Sequence, residues 1–428
     1  EEAPHCASCA RGASRVFCGG EHTLVRDPET LAVFQLGACG LGFDHDDPSA
    51  ASRPSAYARR VPLPGPSSAV FAGYYHNLVK LNGGRCLAYG CGRQSPSSGA
   101  ARGGPQASKC SRLPAPLWSP LGPLGLARGA LERPTNDGQL VNGSLSEDTL
   151  PVPTRLRFAE AAAGGHHSAC RTLSGEAFGG STGGVVSQPG HYHTAALGED
   201  GEWYVWGCNE QGQLGSGRPG EEQITVPRRL AECAPELQGA QVAAFEGGYG
   251  FSLLLMGDGR VLTMGNHSEG QRAVDPDLDE APPVSQVPLP GPAEAVAAGS
   301  HHALAVVGGR VFALGSNEYG QVVGDGAAPG GSEEHREWRP RAVEGLPEGD
   351  PVVRVSAGIP GSGKGSSPRS PWSKRTASGR VFLWGCGGNG QTGDGALPAS
   401  SPVREVDLAE VARRCPAASA ADFSGVAE

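Results

Sequence analysis

The chain has 428 residues, of which 67 are glycine, 36 proline and only 18% charged, so it is long enough for one large domain or a few ordinary ones, and it is built from turn-formers rather than long helices. A net charge of −9 gives no electrostatic reason to expect nucleic acid or an anionic membrane as the main partner. No apolar run approaches the roughly 18–20 residues of a membrane helix, and the opening EEAPHCASCARG lacks the apolar segment of a signal peptide.

Twelve cysteines in so long a chain are too sparse for a small disulfide scaffold, and an intracellular chain with reduced thiols is expected. Such a chain would leave the sequons at Asn142 and Asn266 bare. The chain starts at Glu1 rather than Met, so an N-terminal piece is expected to have been removed, cloned away or left unseen. Cytoplasm or nucleus is the expected setting, or an organelle if that piece was a presequence.

In chain order, HCASC (5–9) offers a C-x-x-C that would need Cys18 and His22 to complete a zinc site; the spacing of that second half fits no common finger, and no metal is expected. CGGEHTLV (18–25) then introduces a phrase of small residue, glycine, two variable residues, His and Ser/Thr, followed by an apolar strand. It returns as AGYYHNLV (72–79), AGGHHSAC (163–170), PGHYHTAAL (189–197), GGYGFSLLL (247–255), AGSHHALAV (298–306) and AGIPGS (357–362).

A second phrase, a short strand running into glycine and a turn, alternates with the first. Its clear copies are GEWYVWGCNEQGQLGSG (201–217), GRVLTMGNHSEGQ (259–271), GRVFALGSNEYGQVVGDG (309–326) and GRVFLWGCGGNGQTGDG (379–395). Weaker copies are LAVFQLGACGLG (31–42), GRCLAYGCG (84–92) and SGEAFGG (174–180). VPLPGPSSAVFAGYYH (61–76) and VPLPGPAEAVAAGSHH (287–302) agree at most positions, and likeness over that separation is repetition.

β-Branched and aromatic residues in RVFAL and WYVW suit short antiparallel strands, while Asn and Gly supply the turns. One such unit cannot bury both of its faces, so units must stack, and the small residues of the Ala-Gly phrase suit a place where strands crowd. About seven units of about 50 residues imply an all-β, closed propeller.

These phrases resemble the repeats of the regulator of chromosome condensation family, with the pattern G-R-V-[FY]-x-W-G-x-N-x-x-G-Q-L-G followed by V-x-x-[AV]-x-A-G-x-x-H-[ST]-x-A-L. The resemblance runs from about residue 13 to 406, and YVWGCNEQGQLGSG is its most specific stretch. It implies a seven-bladed β-propeller over 13–428 behind a tail at 1–12. Two departures are expected to be loop insertions: the Pro/Ser/Gly-rich 93–135 and the basic 363–375. A third is the spacing between Gly179 and Gly207, about half the usual length and without the Asn-Gly-Gln turn, which predicts one abridged blade.

AGIPGSGKGSSPRS (357–370) resembles a phosphate-binding loop in which Lys364 would meet phosphates. The repeat phase instead gives AGIPGS the slot of AGSHHA, with Gly361 at the His position and Ser362 at the Ser/Thr position. Pro368 and Pro371 forbid the helix such a loop must open, so no nucleotide is expected there.

His22, His76, His167, His193 and His302 share one repeat position, one per blade, which points to structural hydrogen bonds rather than ligation or catalysis. His166 and His301 add exposed partners at most. Cys91, Cys208 and Cys386 follow the turn glycine and read as small packed residues. Trp206 and Trp384 read as core, while Trp118, Trp338 and Trp372 fall in expected loops where an aromatic can anchor a partner. GGSEEHREW (330–338) reads as a solvated acidic loop.

No catalytic, cofactor-binding or metal-ligating residue is assigned, and no cofactor is expected. A rigid propeller with two rims of loops suits a non-catalytic scaffold or adaptor, a subunit of a larger assembly, with 93–135 and 363–375 as contact arms. The family resemblance also implies a different class, a guanine-nucleotide exchange factor for a small GTPase of the Ran type. The repeat motif itself encodes no such activity, and no basic N-terminal tail for chromatin is present.

Overall fold

Apolar runs such as FSLLLM and VLTMG are buried at every position rather than at alternate ones. Strands of this kind must be covered on both faces. A computed structural model of the chain shows how. It describes the strands and shorter turns within residues 16–407, nearly continuously over 193–215, 223–324, 336–358 and 371–393.

The described strands form seven antiparallel sheets, six four-stranded and one three-stranded, each built from strands consecutive in the chain. The first sheet is Val16–Cys18, His22–Arg26, Val33–Gly37 and Arg59–Arg60. The second runs from Ser67–Ala72 to Cys110–Pro116, and the third holds Phe158–Ala163, Ser168–Thr172 and Ala177–Phe178. The fourth starts at Gly184–Val186 and ends at Gln223–Arg229. The fifth comprises Val242–Gly247, Phe251–Met256, Val261–Gly265 and Val284–Gln286. The sixth spans Ala293–Ala298 to Arg336–Ala342, and the seventh Val352–Ala357 to Ser401–Val406. The sole α-helix among the described residues is the short Leu230–Cys233.

Each sheet touches the next in chain order, and the seventh touches the first, so the stack closes into a ring. Buried side chains gather at the junctions. Leu214, Ile224, Phe245 and Met264 lie between the fourth and fifth sheets, and Phe251, Leu253, Ala303 and Leu314 between the fifth and sixth. Val16, Cys18, Phe34 and Leu36 pack with Val381 and Leu383 where the ring closes.

Crowding is greatest where successive first strands end. A Cβ on Gly248 would lie 1.9 Å from Phe251 Cε1 and 2.5 Å from the Gly299 carbonyl; one on Gly190 would lie 2.9 Å from the Gly248 carbonyl. Those contacts place the Ala-Gly phrases at the inside of the ring, with only hydrogen in the space between backbones.

The abridgement falls on the third sheet, which has no fourth strand among the described residues. Within the expected insertion 93–135, Cys110–Pro116 is the outer strand of the second sheet, paired through Gly90↔Ser111 and Ala88↔Ala115; the remainder lies outside the described residues. The basic insertion is also shorter than 363–375. Pro371–Thr376 is the second strand of the seventh sheet, and Pro371 faces Gly385 as His302 faces Gly315. Pro371, not Gly361, therefore stands at the His position, and Trp372 rather than Ser362 at the Ser/Thr position. Sheet pairing decides this register, because strand 2 must supply bonds to strands on both sides whatever its side chains.

Candidate interaction face

The motif residues are consumed by the scaffold. In the fourth sheet Asn209 Oδ1 accepts the Leu214 N–H at 2.9 Å, and Gln213 Oε1 accepts the Gln211 N–H at 3.0 Å. Asn317 and Gln321 do the same in the sixth sheet, for Val322 at 2.8 Å and Tyr319 at 2.6 Å. These side chains brace their own turns and present little to a partner.

The His–Ser/Thr positions join neighbouring sheets. His22 Nε2 lies 2.7 Å from Asn77 Oδ1, and His193 Nε2 lies 3.0 Å from Ser252 Oγ. Ser252 Oγ donates onward to the Gln213 carbonyl at 2.6 Å, as Thr23 Oγ1 does to the Gln391 carbonyl at 2.9 Å across the ring closure. Where the fifth sheet has Phe251 instead of histidine, the sixth has Ala303 instead of Ser/Thr, and both join an apolar junction. In the seventh sheet, where Trp372 holds the Ser/Thr position, the Gln321 carbonyl accepts from Trp384 Nε1 at 3.0 Å. Burial pulls the His22 pKa down to about 4, partly offset by Asn77, so the ring bonds as neutral imidazole.

Two cysteines of the expected turn position are accounted for in the same way: Cys386 is buried and Cys208 half-buried, both as free thiols. Cys18 and His22, weighed for zinc, have other roles. Cys18 sits at the ring closure, where burial pushes its thiol up to about 11, and its N–H meets Ser356 Oγ at 3.4 Å.

The tryptophans divide differently from expectation. Trp338 and Trp372 lie in strands, not loops. Trp338 is half-buried, backs onto Gly270 of the fifth-sheet turn, and carries the Arg339 guanidinium 4.7 Å above its ring. Trp203 is buried, stacks on Phe245 at 6.0 Å and donates to the Val242 carbonyl at 2.9 Å. Trp118, His76, His166, His167 and the loop around Lys364 lie outside the residues whose side chains are described, as do residues 330–335 of the acidic stretch.

With the motif residues spent, the positions open to vary with a partner are those the motif leaves variable. Antiparallel order puts the turn between strands 1 and 2 and the connection between strands 3 and 4 at the same end of every sheet. The variable pair before the histidine and the third and fourth residues after the turn glycine thus share one end of the ring. In the fifth and sixth sheets that end holds Tyr249 and His301, ring centroids 5.0 Å apart and planes at 49°. His301, expected to be exposed, is half-buried, and burial pulls its pKa down to about 4. The turns alongside carry Glu210, Glu269 and Glu318, and the fifth-sheet connection carries Asp275, Asp277, Asp279 and Glu280 around the exposed Leu278. Its arginine, Arg272, is buried and donates inward to the Gly265 carbonyl at 2.8 Å, Ser285 Oγ at 2.9 Å and the Pro282 carbonyl. Reading the repeat for its constant residues missed this face; the signal for it lay in the variable ones.

Among the described residues, no group of three or more His, Cys, Asp or Glu side chains is arranged to hold a metal, and no helix is long and apolar enough to cross a membrane.

The model of the regulator of chromosome condensation (RCC1) repeat matches residues 200–255. The chain is 34% identical over 176 residues to the secretion-regulating guanine nucleotide exchange factor of Bos taurus, covering 37% of this chain and 35% of that protein. It is 28% identical over 220 residues to the probable E3 ubiquitin-protein ligase HERC3 of Homo sapiens, covering 50% and 19%. It therefore spans about a third and about a fifth of these relatives' lengths. In fold it is similar to Prp20p of Saccharomyces cerevisiae, with a TM-score of 0.57 at 18% identity over 81% of this chain and 80% of that one. Human WBSCR16 gives 0.58 at 19% identity over 92% and 94%. Repeat phrases, ring of antiparallel sheets, family model and fold neighbours converge: the chain folds as a β-propeller similar to these structures, and residues 200–255 match the RCC1 repeat.

Proposed function

We propose that the chain is a non-catalytic interaction propeller that serves as an adaptor or scaffold within a larger protein assembly. The observation that carries this reading is that the motif's Asn, Gln, His and Ser side chains bond to the scaffold itself, leaving the variable turn residues at one end of the ring as contact groups. The native mass of the endogenous protein from gently lysed cells, with mass spectrometry of what co-elutes, tests it. A stable particle well above the 43.7 kDa of the chain is expected. A monomer with no co-eluting protein would overturn the reading.

A second reading is guanine-nucleotide exchange on a small GTPase of the Ran type. It is favoured by the likeness to the bovine secretion-regulating exchange factor and by the fold shared with Prp20p, whose structure was described together with binding to Gsp1p. Accelerated release of a fluorescent guanine nucleotide from a panel of small GTPases would establish it. Unchanged release across the panel would remove it.

A further inference from the structure

Tyr249 and His301 are not required by the repeat, yet adjacent sheets bring them into contact at the inner, turn-bearing end of the ring. Their rings lie 5.0 Å apart, both half-buried, and the Tyr249 N–H donates to the Ser300 carbonyl at 2.9 Å, tying the two turns together. His301 Nδ1 is buried and has no hydrogen-bond partner among the described residues. The pair thus offers a pre-organised patch of π surface, held by backbone rather than by flexible loops.

The turns at the same end of the ring carry carboxylates. Glu210, Glu269 and Glu318 come from three successive turns; the described residues of these connections hold no exposed lysine or arginine, and the cation Arg336, beside them at the start of the sixth sheet's outer strand, is paired with Asp277 at 3.2 Å. Leu278, one of two large exposed apolar side chains among the described residues, stands beside them. The opposite end of the ring differs, since its hairpins mix signs, as in Arg260 paired with Asp258 and Arg229 with Asp200.

A neutral aromatic patch on an end of the ring whose turns carry carboxylates selects a cation with a flat, weakly hydrated face. Guanidinium fits, because it stacks on π surfaces with little desolvation cost, whereas ammonium is compact and strongly hydrated. The carboxylates steer the approach of further cations on the same segment. We propose that this end of the ring docks an arginine-rich segment of a protein partner, one guanidinium stacking on the Tyr249–His301 pair and its neighbours meeting Glu210, Glu269 and Glu318. The inference rests on the reading of the chain as an interaction propeller.

The probe is a fluorescein-labelled peptide of alternating glycine and arginine, with lysine and glutamate counterparts, titrated by anisotropy against the whole chain at two salt concentrations. The arginine peptide is expected to bind saturably and more tightly than the lysine peptide. Tyr249→Leu should weaken it about fivefold, while Tyr249→Phe, which keeps the ring, should not. Glu210→Gln with Glu318→Gln should flatten the salt dependence, and Asp258→Asn at the other end should change nothing. Melting curves establish that each variant is folded, and His301→Gln serves if Tyr249→Leu is not. No saturable binding, equal affinity for the two cationic peptides, or an equal loss from Asp258→Asn would overturn the proposal. If a chain carrying Tyr249→Leu still co-elutes with its endogenous partners, the docking face is wrong while the adaptor reading stands.

Discussion

At the scale of single residues, buried titratable groups set the pH response. His22 is neutral in the fold, with a pKa of about 4 against an ordinary 6.5, and the unfolded chain takes up its proton first as pH falls. Its contribution is present above pH 6.5 and is lost as pH drops toward 4, on the order of 3 kcal/mol in all. Urea denaturation of the whole chain at pH 7 and pH 5 should resolve this loss. His22→Phe combined with Asn77→Ala, which copies the apolar Phe251–Ala303 junction, should flatten it. Asn77→Ala alone should cost about 1–3 kcal/mol by leaving the buried ring without its acceptor. The double variant should recover part of that cost, which a double-mutant cycle measures directly.

Lys374 gives the opposite window. It is buried in the second strand of the seventh sheet, 4.4 Å from the Phe382 ring centroid, and its Nζ has no hydrogen-bond partner among the described residues. Burial lowers its pKa from 10.5 to about 8, against the pull of Asp350. Between those values the unfolded chain holds the proton and the folded chain does not, so stability should rise as pH increases from 8 toward 10.5. Lys374→Met should raise stability at pH 7 and abolish this rise in parallel denaturation curves. Neither effect was legible in the sequence: Lys374 was read as part of a basic insertion, and only strand pairing buries it.

Elements bring in backbone geometry. The constant glycines before the histidine were legible as crowding residues, and the structure supplies the obstacle. A methyl on Gly248 meets both the Phe251 ring and the Gly299 carbonyl, and only the ring can shift. Gly248→Ala should therefore cost about 3 kcal/mol. Gly201→Ala in a hairpin turn, with nothing near its Cβ but a φ of +80°, should cost less, about 1 kcal/mol from conformation alone. Thermal melts of the two variants compare steric with conformational cost. In the fifth sheet, Arg272 replaces the leucine of Gly-Gln-Leu-Gly, and its guanidinium gathers the carbonyls of Gly265, Pro282 and Pro283. Arg272→Leu restores the repeat's own residue but releases that connection. Faster limited proteolysis within 275–283, with the other turns unchanged, is the expected outcome.

For the whole molecule, closure is the decisive feature. Every described sheet is made of strands consecutive in the chain, so among the described residues no strand from one terminus completes a sheet at the other. The first and seventh sheets are joined by side chains, through Val16, Cys18, Phe34, Leu36, Val381 and Leu383, and by the Thr23–Gln391 hydrogen bond. A junction held by packing is the one expected to open first, with a free energy below that of global unfolding. Cys18 reports on it, since its thiol is buried at that seam. Leu383→Ala should speed the reaction of Cys18 with a thiol reagent at denaturant concentrations where the other sheets remain intact. Equal protection of Cys18 and of the fifth-sheet amides in both proteins would count against an opening seam.

The sequence by itself determined the class of the fold and the resemblance to one repeat family, because a propeller is a sum of near-identical local units. Each unit writes its strand, its Asn-Gly-Gln turn and its crowding glycine into contiguous residues. Tertiary structure alone decided what happens between units. It set the register that makes Pro371–Thr376 a strand, the exchange of a His–Ser bond for a Phe–Ala contact, the burial of Lys374 and Arg272, and the meeting of Tyr249 with His301. The His–Ser bond, the Phe–Ala contact and the Tyr249–His301 pair join residues some fifty positions apart and are fixed by which neighbouring sheet lies across the junction, while the Pro371–Thr376 register and the bonds of Arg272 are set by pairing and connection within one sheet; no local sequence pattern holds either kind.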